Sequence, residues 1–346
     1  MTTTITVQPS GLQFTVEDGE HVLDAALRQG VVLPYGCQNG ACGSCKARVL
    51  DGSVEMGRHS DKALSPAEAV AGYALMCCSK PQGDLVIESR LVTRVGDIPV
   101  RKMPCRIASI TRAAPDVAIL KLQLPASERF QYLAGQYIEL LLRDGSRRSY
   151  SMAAAPHQAE QIELHIRHIP GGRFTDALFG IIEPPIRERD ILRFEGPLGT
   201  FFLREDSERP IVLLASGTGF APVKAVIEHA RHKGIERPMV LYWGARRPRD
   251  LYMNALCEQW AAGMPGFSYV PVVSDALPED GWQGRTGFVH RAVMADFPDL
   301  SAHEVYACGA PVVIDAARRD FVESCGLPEE AFYADAFTTE ADLAGA

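Results

Sequence analysis

The chain contains 346 residues, of which 47% are hydrophobic and 23% are charged, an ordinary composition for a globular protein. A chain of this length is expected to form about two or three domains, each large enough to bury its own core. The formal net charge of −8 argues against a nucleic-acid partner, because nucleic-acid-binding proteins are usually basic.

The sequence shows no segment that would direct the chain to a membrane or anchor it there. Met1 to Ser10 has neither the basic region nor the long apolar core of a signal peptide. The longest uncharged stretch, Pro210 to Val223, is too short to span a bilayer and is interrupted by glycines. We therefore expect a cytoplasmic protein with no membrane partner, in which the nine cysteines stay reduced or bind metal.

Alternating apolar residues and turn signals predict a small α+β unit over residues 1–93. Its predicted elements are a hairpin over residues 3–16, a helix over His21–Gln29, a strand over Lys46–Leu50, a helix that begins at Ser65, and a strand over Asp84–Ser89. Ser65-Pro66-Ala67-Glu68 has the form of a capping box with proline in the first turn, which predicts the start of the second helix.

A cysteine-rich loop lies between the first helix and the next strand, from Tyr35 to Cys45. Cys37, Cys42 and Cys45 follow the spacing C-x4-C-x2-C, and a fourth thiol follows at Cys77. This is the spacing of plant-type 2Fe-2S ferredoxins, in which four cysteines bind the cluster. We therefore predict that these four thiols are the ligands of a 2Fe-2S cluster.

Three glycines in this loop, Gly36, Gly40 and Gly43, permit the positive φ angles needed to coil the backbone around a common centre. A structural zinc site and a disulfide pair are the alternatives. Zinc usually shows two short C-x2-C hooks, whereas this loop has one such hook and an offset cysteine. A disulfide framework is typical of small secreted domains, and this chain is not of that class.

The composition changes near Met103, and the segment that follows predicts a six-stranded antiparallel β-barrel. The six apolar-rich strands are predicted over Cys105–Ile110, Val117–Leu124, Gln136–Arg143, Arg148–Ala153, Gln161–His168 and Asp190–Glu195. One helix is predicted in this segment, near Phe174 to Phe179.

After Arg209, strands alternate with helices, which predicts a parallel α/β sheet. The predicted strands are Ile211–Ala215, Met239–Trp243, Ser268–Val273 and Glu304–Cys308, and the predicted helices are Pro222–Lys233, Asp250–Ala262 and Pro311–Cys325. Residues 94–102 and 204–209 are the predicted linkers, and the chain from Thr338 to Ala346 is an unpatterned tail.

The segment Arg148-Ser149-Tyr150-Ser151 matches the R-x-Y-[ST] signature of the ferredoxin-NADP reductase superfamily, which this chain resembles. The resemblance implies that Arg148 holds the pyrophosphate of FAD, since a guanidinium fork matches phosphate geometry. It also implies that Tyr150 packs on the flavin ring and that Ser151 lies near N5, the hydride acceptor. A surface strand with an exposed arginine is the alternative for this motif by itself.

A second motif strengthens the resemblance. Gly171-Gly172-Arg173-Phe174-Thr175 is similar to the second phosphate-binding element of the superfamily. The resemblance implies that Gly171, Gly172 and Thr175 bind the cofactor where backbone amides at a helix start face phosphate. Because this element follows the arginine motif, the surface-strand alternative is less favoured.

The segment Gly217-Thr218-Gly219-Phe220-Ala221-Pro222 lies between a predicted strand and a predicted helix. It departs from the Rossmann pattern G-x-G-x-x-G, because proline occupies the last position, but it matches the superfamily motif G-T-G-x-A-P. That resemblance implies that Gly217, Thr218, Gly219 and Pro222 line the nicotinamide nucleotide at the strand ends.

The segment Cys308-Gly309-Ala310-Pro311 matches the superfamily motif C-G-x-P, whose cysteine faces the hydride-transfer site. The resemblance therefore assigns Cys308 a catalytic role beside Ser151. A buried cysteine that acts only as a small apolar group is the alternative. The position of Cys308 within the ordered set of motifs favours the functional interpretation.

Two adjacent thiols, Cys77 and Cys78, compete for the fourth ligand position of the cluster. The superfamily pattern places the ligand two residues after a leucine, which selects Cys77 after Leu75. Neighbouring side chains in an extended segment point to opposite sides, so we expect Cys78 to pack in the core of the domain.

The pair Ser274-Asp275 departs from the NADP-specific members of the superfamily, which have serine followed by arginine at this place. Asp275 would repel the 2′-phosphate of NADPH and accept hydrogen bonds from ribose hydroxyls. Arg246, Arg247 and Arg249 are nearby cations, so NADPH is not firmly excluded. We predict NADH as the preferred electron donor.

Over residues 3 to about 337 the chain resembles a three-domain reductase, with a β-grasp 2Fe-2S ferredoxin domain over 1–93, a FAD-binding barrel over 101–203 and a NAD-binding domain over 208–340. A-L-M-C-C-S-K and C-G-S-C-K-A look closest to reductases of the CDP-6-deoxy-hexulose 3-dehydrase system, and phenol hydroxylase reductases are similar in layout. The resemblance implies electron transfer from NADH through FAD and the cluster to a one-electron-accepting oxygenase or dehydrase component. A redox-sensing or regulatory subunit without sustained turnover is the alternative.

Overall fold

The computed structural model describes residues 3–90, 98–158 and 161–338. These residues form two compact units, which divide between Pro99 and Val100. The second unit extends to Ala334, and the chain from Asp335 groups with the first. Both units bury apolar side chains between their strands and helices.

The first unit contains a mixed five-stranded sheet and two short helices. Its elements are β1 (Thr3–Gln8), β2 (Leu12–Val16), α1 (Val22–Arg28), β3 (Lys46–Asp51), β4 (Val54–Met56), α2 (Pro66–Val70), β5 (Tyr73–Leu75), β6 (Ser79–Pro81) and β7 (Leu85–Glu88). The sheet order is β2-β1-β7-β3-β5, with β1 and β7 parallel, and β4 pairs with β6 in a separate ribbon. The predicted hairpin and both predicted helices are confirmed.

The short helix α2 begins at the capping box that the sequence predicts. The backbone N–H of Glu68 donates to Ser65 Oγ at 3.3 Å, and the backbone N–H of Ser65 donates to Glu68 Oε2 at 2.8 Å. Both N–H groups would otherwise lack a partner at the start of a helix. None of the five helical residues is buried, so local hydrogen bonds rather than packing fix this helix.

The second unit begins with a six-stranded sheet. Its elements are β8 (Arg101–Ala114), β9 (Val117–Gln123), β10 (Tyr137–Leu141), β11 (Arg147–Ser151), β12 (Gln161–Arg167), α3 (Arg173–Leu178) and β13 (Ile191–Leu198). The order is β11-β10-β13-β8-β9-β12, and every neighbouring pair is antiparallel. A bridge between Met152 and Leu164 joins the chain just after β11 to β12. All six predicted strands and the predicted helix are present.

A second sheet follows, in which strands alternate with helices. Its elements are β14 (Ile211–Ser216), α4 (Phe220–Lys233), β15 (Met239–Ala245), α5 (Asn254–Gly263), β16 (Phe267–Val273), β17 (Arg285–Thr286), α6 (Val289–Asp296), β18 (Glu304–Gly309), α7 (Pro311–Cys325) and β19 (Phe332–Ala336). The order is β17-β16-β15-β14-β18-β19, and the pairings among β14 to β18 are parallel. The carboxyl ends of β14 and β18 therefore lie side by side, where the predicted nucleotide site belongs.

Two helix starts differ from the predictions. The helix α4 begins two residues earlier than predicted, at Phe220, because Gly217–Gly219 forms a 3-10 turn that runs directly into it. The helix α5 begins four residues later than predicted, at Asn254, because Pro248–Asp250 forms a separate 3-10 turn. In both places glycine or proline lies at the boundary, and a 3-10 turn precedes the α-helix.

Several elements were not predicted. The helix α6 begins after Phe288, which lacks the polar side chain that usually marks a helix start. The strand β8 begins at Arg101, so the predicted linker over 94–102 is wrong at its end, and residues 94–97 lie outside the described residues. Neither α6 nor any other helix of the described ranges is long and apolar enough to cross a membrane.

Candidate functional site

The four cysteines predicted as cluster ligands lie together in the first unit as two pairs. The Cys42 side chain lies next to that of Cys37, and the Cys45 side chain lies next to that of Cys77, so within each pair one sulfur shifts the pKa of the other. The backbone N–H of Cys37 also donates to Cys42 Sγ at 3.4 Å. Four thiolates shared between two irons give two per iron, so this pairwise arrangement fits a 2Fe-2S cluster.

The same contacts favour a thiolate on one member of each pair. The hydrogen bond from Cys42 lowers the pKa of Cys37 to about 7, and hydrogen bonds from Cys45 and Cys78 lower the pKa of Cys77 to about 4. A thiolate, not a thiol, is the metal-binding form of cysteine. Within the described ranges, no group of three or more His, Cys, Asp or Glu side chains is placed to hold a metal ion.

The backbone of the cysteine loop turns at three left-handed residues, but one of them was not predicted. Gly40 and Gly43 have φ angles of +81° and +73°, as expected. The third is Gln38, with φ +58°, so the prediction that Gly36 adopts a positive φ is wrong. Gly36 instead makes room for a sulfur, because a Cβ there would lie 3.3 Å from Cys42 Sγ.

The adjacent thiols Cys77 and Cys78 do not point to opposite sides. Residues 76–78 form a turn between β5 and β6 rather than an extended segment, so the predicted reason for placing Cys78 on the side opposite to Cys77 is wrong. Cys78 is buried, as expected, and its thiol lies 3.7 Å from the carbonyl oxygen of Leu75. It also lies next to Cys77, which in turn contacts Cys45. The contact with Cys45 makes Cys77 the better-placed ligand.

The two predicted flavin motifs meet in the second unit through one aromatic contact. The ring of Tyr150 on β11 packs against Phe174 on α3, with centroids 5.8 Å apart. The strand that carries Arg148 therefore lies beside the turn that begins at Gly171. Ser151 pairs with Tyr137 and is 6% exposed. Because strand side chains alternate, Ser151 lies on the opposite face of β11 from Tyr150.

The turn before α3 is fixed by the hydroxyl of Thr175. Its Oγ1 lies 2.9 Å from the carbonyl oxygen of Ile169 and accepts from the N–H of the same residue at 3.2 Å. Gly171 has φ +80°, and a Cβ on Gly172 would lie 2.8 Å from Thr175 Oγ1. The Thr175 side chain thus shapes the turn, while both glycines are required by its backbone.

The two predicted nucleotide motifs are in direct backbone contact. Ala215 on β14 pairs with Cys308 on β18, so Gly219 in the following 3-10 turn lies against the carbonyl group of Cys308. Gly309 has φ +139°, and a Cβ there would lie 2.5 Å from the carbonyl oxygen of Ser216. Cys308 is fully buried at this junction. The remaining motif residues, Gly217, Thr218 and Pro222, are also buried beside it.

The predicted adenosine end lies where β15 and β16 finish. The N–H of the exposed Asp275 donates to the carbonyl oxygen of Arg246 at 2.9 Å. Arg247 is held by Asp280 through contacts of 2.7 and 3.0 Å, so this cation is already neutralised. The side chain of Arg246 is 68% exposed and approaches only carboxylates at 3.7 Å or more. Asp275 is therefore joined to Arg246 through the backbone, and the neighbouring Arg247 is already paired with Asp280.

A buried charged network in the second unit was missed. It contains Glu163 and His165 on β12, Lys224 and Glu228 on α4, and Tyr252 before α5. The sequence did carry one signal for it. Glu163, His165 and Arg167 alternate with apolar residues, so the polar face of β12 had to be either exposed or covered by polar partners. The covering helix could not be identified from β12 alone.

Three family models match consecutive parts of the chain. The 2Fe-2S iron-sulfur cluster binding domain matches residues 5–82, the oxidoreductase FAD-binding domain matches residues 104–203, and the oxidoreductase NAD-binding domain matches residues 213–319. These ranges contain, in turn, the four paired cysteines, the arginine motif, and the nucleotide loop with Cys308. Their order is the order of the predicted cofactors.

Relatives align along nearly the whole chain. The CDP-6-deoxy-L-threo-D-glycero-4-hexulose-3-dehydrase reductase of Yersinia pseudotuberculosis is 42% identical over 97% of this chain and 99% of its own length. The phenol 2-monooxygenase reductase component DmpP of a Pseudomonas species is 35% identical over 100% of this chain and 97% of its own length. Among solved structures, the Amycolatopsis reductase GcoB matches with a TM-score of 0.75 and 31% identity, covering 97% of this chain and 99% of its own.

Proposed function

We propose that this chain, which belongs to the family of reductase components with 2Fe-2S, FAD-binding and NAD-binding domains, passes electrons from NADH to a protein partner. The chain is an oxidoreductase. The order of transfer would be NADH, FAD, the 2Fe-2S cluster and then the partner. The supporting observation is that two thiol pairs, the flavin strand β11 and the nucleotide junction at Cys308 occur in one chain.

Electron counting explains why all three sites are needed. When bound, the flavin takes two electrons from a hydride and gives them up singly, whereas a 2Fe-2S cluster takes one at a time. The chain contributes by holding both groups in domains of one polypeptide, so the internal transfer is effectively unimolecular. A partner that needs single electrons, such as an oxygenase or dehydrase component, is the proposed acceptor.

The domain limits proposed for these sites are residues 1–93, 101–203 and 208–340. The family matches over 5–82, 104–203 and 213–319 lie inside them. The antiparallel order of β8 to β13, with the bridge after β11, supports the proposal that this sheet acts as a closed flavin-binding barrel. The parallel pairings of β14 to β18 support a nicotinamide-nucleotide site at their carboxyl ends.

The proposed flavin-binding residues are held on two adjoining elements. Arg148 would bind the pyrophosphate, and Gly171, Gly172 and Thr175 would shape the turn that faces it. Tyr150 would pack on the face of the ring system, and Ser151, the last residue of β11, would donate a hydrogen bond to N5 from the end of the strand. Its burial at 6% exposure would keep competing water away from that bond.

The proposed nicotinamide residues surround the junction of β14 and β18. Gly217, Thr218, Gly219 and Pro222 would let the nucleotide approach the backbone, and Cys308 would face the transferred hydride. At the other end, Asp275 would accept hydrogen bonds from the adenosine ribose. The Arg247–Asp280 pair supports NADH over NADPH, because the nearest strongly placed cation is already occupied.

The names of the relatives support an oxygenase or dehydrase component as the partner, because one is a dehydrase reductase and another is the reductase component of a monooxygenase. The cytoplasmic location expected from the sequence stays a prediction. The test is to purify the protein anaerobically, measure iron, sulfide and FAD, and follow NADH oxidation with ferricyanide and with candidate partner proteins. Both cofactors and NADH-dependent reduction of a partner are expected. Persistent absence of either cofactor after reconstitution would contradict the proposal.

A further inference from the structure

A single buried lysine joins the helix after the nucleotide loop to the strand that ends in the flavin motif. Lys224 on α4 is 5% exposed. Its Nζ donates to the carbonyl oxygen of Ala153 at 3.1 Å, and lies 3.1 Å from Glu163 Oε1 and 3.0 Å from Glu228 Oε1. An ammonium has three N–H donors, so each of them has an acceptor here.

The three acceptors belong to different parts of the second unit. Glu228 lies one turn further along the same helix, so this contact does not connect separate elements. Glu163 lies on β12, and Ala153 follows Ser151 by two residues. The N–H of Ala153 also donates to the carbonyl oxygen of Glu163 at 2.8 Å. Lys224 therefore connects α4 to the segment just after β11 and to the beginning of β12.

The charges at this point are paired in the buried state. Burial alone would raise the pKa of Glu163, but the hydrogen bond from His165 and the charge of Lys224 lower it to about 2. Burial lowers the pKa of His165, whose Nε2 lies 3.1 Å from Glu163 Oε1 and whose Nδ1 lies 2.9 Å from Tyr252 Oη. A buried ion pair whose partners are fully hydrogen-bonded holds one geometry, because losing either partner leaves an unpaired buried charge.

The helix that Lys224 anchors begins at the nucleotide loop. Gly219 immediately precedes α4, and Lys224 lies five residues beyond it, little more than one helical turn away. A shift of α4 relative to β11 would therefore shift the nucleotide loop relative to Ser151 by a similar amount. Hydride transfer requires the donor and acceptor atoms to be about 3–3.5 Å apart, and a misplacement of about 1 Å can lower a rate on the order of a hundredfold.

We propose that Lys224 is a positioning residue for hydride transfer, which fixes the nucleotide loop against the flavin-facing end of β11 through Ala153 and Glu163. This inference rests on the proposed function of the two motifs. Lys224 would touch neither the reacting atoms nor the cofactors. It acts through the backbone positions of Ala153 and Gly219.

The first test compares Lys224→Met with Glu228→Gln. Methionine keeps the length of the side chain but cannot bind Ala153 or Glu163, whereas glutamine at 228 keeps an acceptor on α4 and leaves both connections in place. In anaerobic stopped-flow experiments with the FAD-loaded protein, we expect Lys224→Met to lower the limiting rate of flavin reduction by about ten- to a hundredfold. FAD content and the Kd for NADH should stay near wild type, and the charge-transfer absorbance between nicotinamide and flavin should weaken. Glu228→Gln should behave as wild type.

The second test uses flavin-free protein, so it does not depend on the reaction. Hydrogen–deuterium exchange should rise in Lys224→Met at residues 151–155 and 217–222, and should stay unchanged at the distant helix α7. Glu163→Gln leaves the contact between Lys224 and Ala153 in place, so it should give a smaller rise in exchange at the same residues. It replaces Lys224→Met in this test if Lys224→Met does not fold. The double variant Lys224→Met/Glu163→Gln should reduce its flavin no more slowly than Lys224→Met alone, because Lys224→Met already removes the contact with Glu163.

The outcomes separate the two proposals. If NADH does not reduce the flavin of the wild-type protein, the proposed function fails, while the exchange experiment still decides whether Lys224 fixes the two segments. If NADH reduces wild type and Lys224→Met at the same rate, with unchanged charge-transfer absorbance, the inference alone is overturned. Independent, multiplying effects of Lys224→Met and Glu163→Gln would also overturn it.

Discussion

Gly219 lies so close to the carbonyl group of Cys308 that a side chain at residue 219 would overlap the carbonyl oxygen and carbon. The contacted atoms of Cys308 are backbone atoms of β18, and Gly219 lies in the 3-10 turn after β14, so the contact cannot be relieved by rotating a side chain of Cys308. Gly219→Ala should therefore force the nucleotide loop apart from β18 and lower the free energy of unfolding by about 1–3 kcal/mol. It should also weaken NADH binding, because the loop that would receive the nucleotide is displaced.

Gly263 provides the control for this prediction. It lies at the end of α5, and a Cβ there would meet no atom within 4 Å. Gly263→Ala should change the free energy of unfolding by no more than about 0.5 kcal/mol. Urea unfolding followed by circular dichroism measures both variants. Equal stability of Gly219→Ala and wild type would show that the contact with Cys308 is not rigid.

Ser151 is the proposed hydrogen-bond donor at the hydride acceptor. Ser151→Ala should lower the rate of flavin reduction by NADH about two- to tenfold, the amount expected when one neutral hydrogen bond is lost from the transition state. The 2Fe-2S signal should be unchanged, since the cysteines lie in the other unit. Ser149→Ala is the matched control, because Ser149 shares the same strand face but is exposed. Wild-type reduction rates for Ser151→Ala with full flavin content would refute its assigned role.

The choice of nicotinamide nucleotide should depend on Asp275 and on the Arg247–Asp280 pair. Asp275→Arg should raise kcat/KM for NADPH relative to NADH by about tenfold. The substitution replaces a carboxylate that would repel the 2′-phosphate with a guanidinium that would bind it. Asp280→Asn should act in the same direction by releasing Arg247, which it contacts at 2.7 Å. Glu279→Gln is the control, since Glu279 lies 3.9 Å from Arg247 and is 70% exposed. Unchanged kcat/KM ratios in the first two variants would place the discrimination elsewhere.

The two neighbouring thiols should differ in their importance for the cluster. Cys77→Ser should abolish or distort the electron paramagnetic resonance signal and stop reduction of a protein acceptor, because Cys77 completes the pair with Cys45. NADH-dependent ferricyanide reduction through the flavin should survive. Cys78→Ser should keep a near-normal signal, because Cys78 is a buried neighbour of Cys77 and serine keeps a donor at the same place. The opposite pattern would mean that Cys78 is the ligand.

The sequence predicted what local chemistry decides. The spacing of Cys37, Cys42 and Cys45 places three thiols in one loop, and the capping box of Ser65 and Glu68 fixes a helix start through bonds within four residues. The order of strands and helices after Arg209 was equally clear, because buried parallel strands are continuous apolar runs. Family resemblance supplied the rest of the candidate site.

The sequence failed where the structure depends on distant partners. The helix α6 has no polar residue at its start and is buried through Val289 and Val293 against other elements. The turn over residues 76–78 depends on pairing of β5 and β6 with different strands, so an extended interpretation was reasonable but wrong. The network around Lys224 joins residues from β12 and α4, and no local pattern predicts such a pairing.

The order of electron transfer is tested most directly by rapid mixing of NADH with the anaerobic, fully loaded protein. Flavin absorbance in stopped flow and the cluster signal in freeze-quenched electron paramagnetic resonance samples follow the two steps separately. We predict that flavin reduction precedes cluster reduction, that Ser151→Ala delays both, and that Cys77→Ser keeps the first and loses the second. Cluster reduction at the wild-type rate in flavin-free protein, or in Ser151→Ala with slowed flavin reduction, would contradict transfer through the flavin.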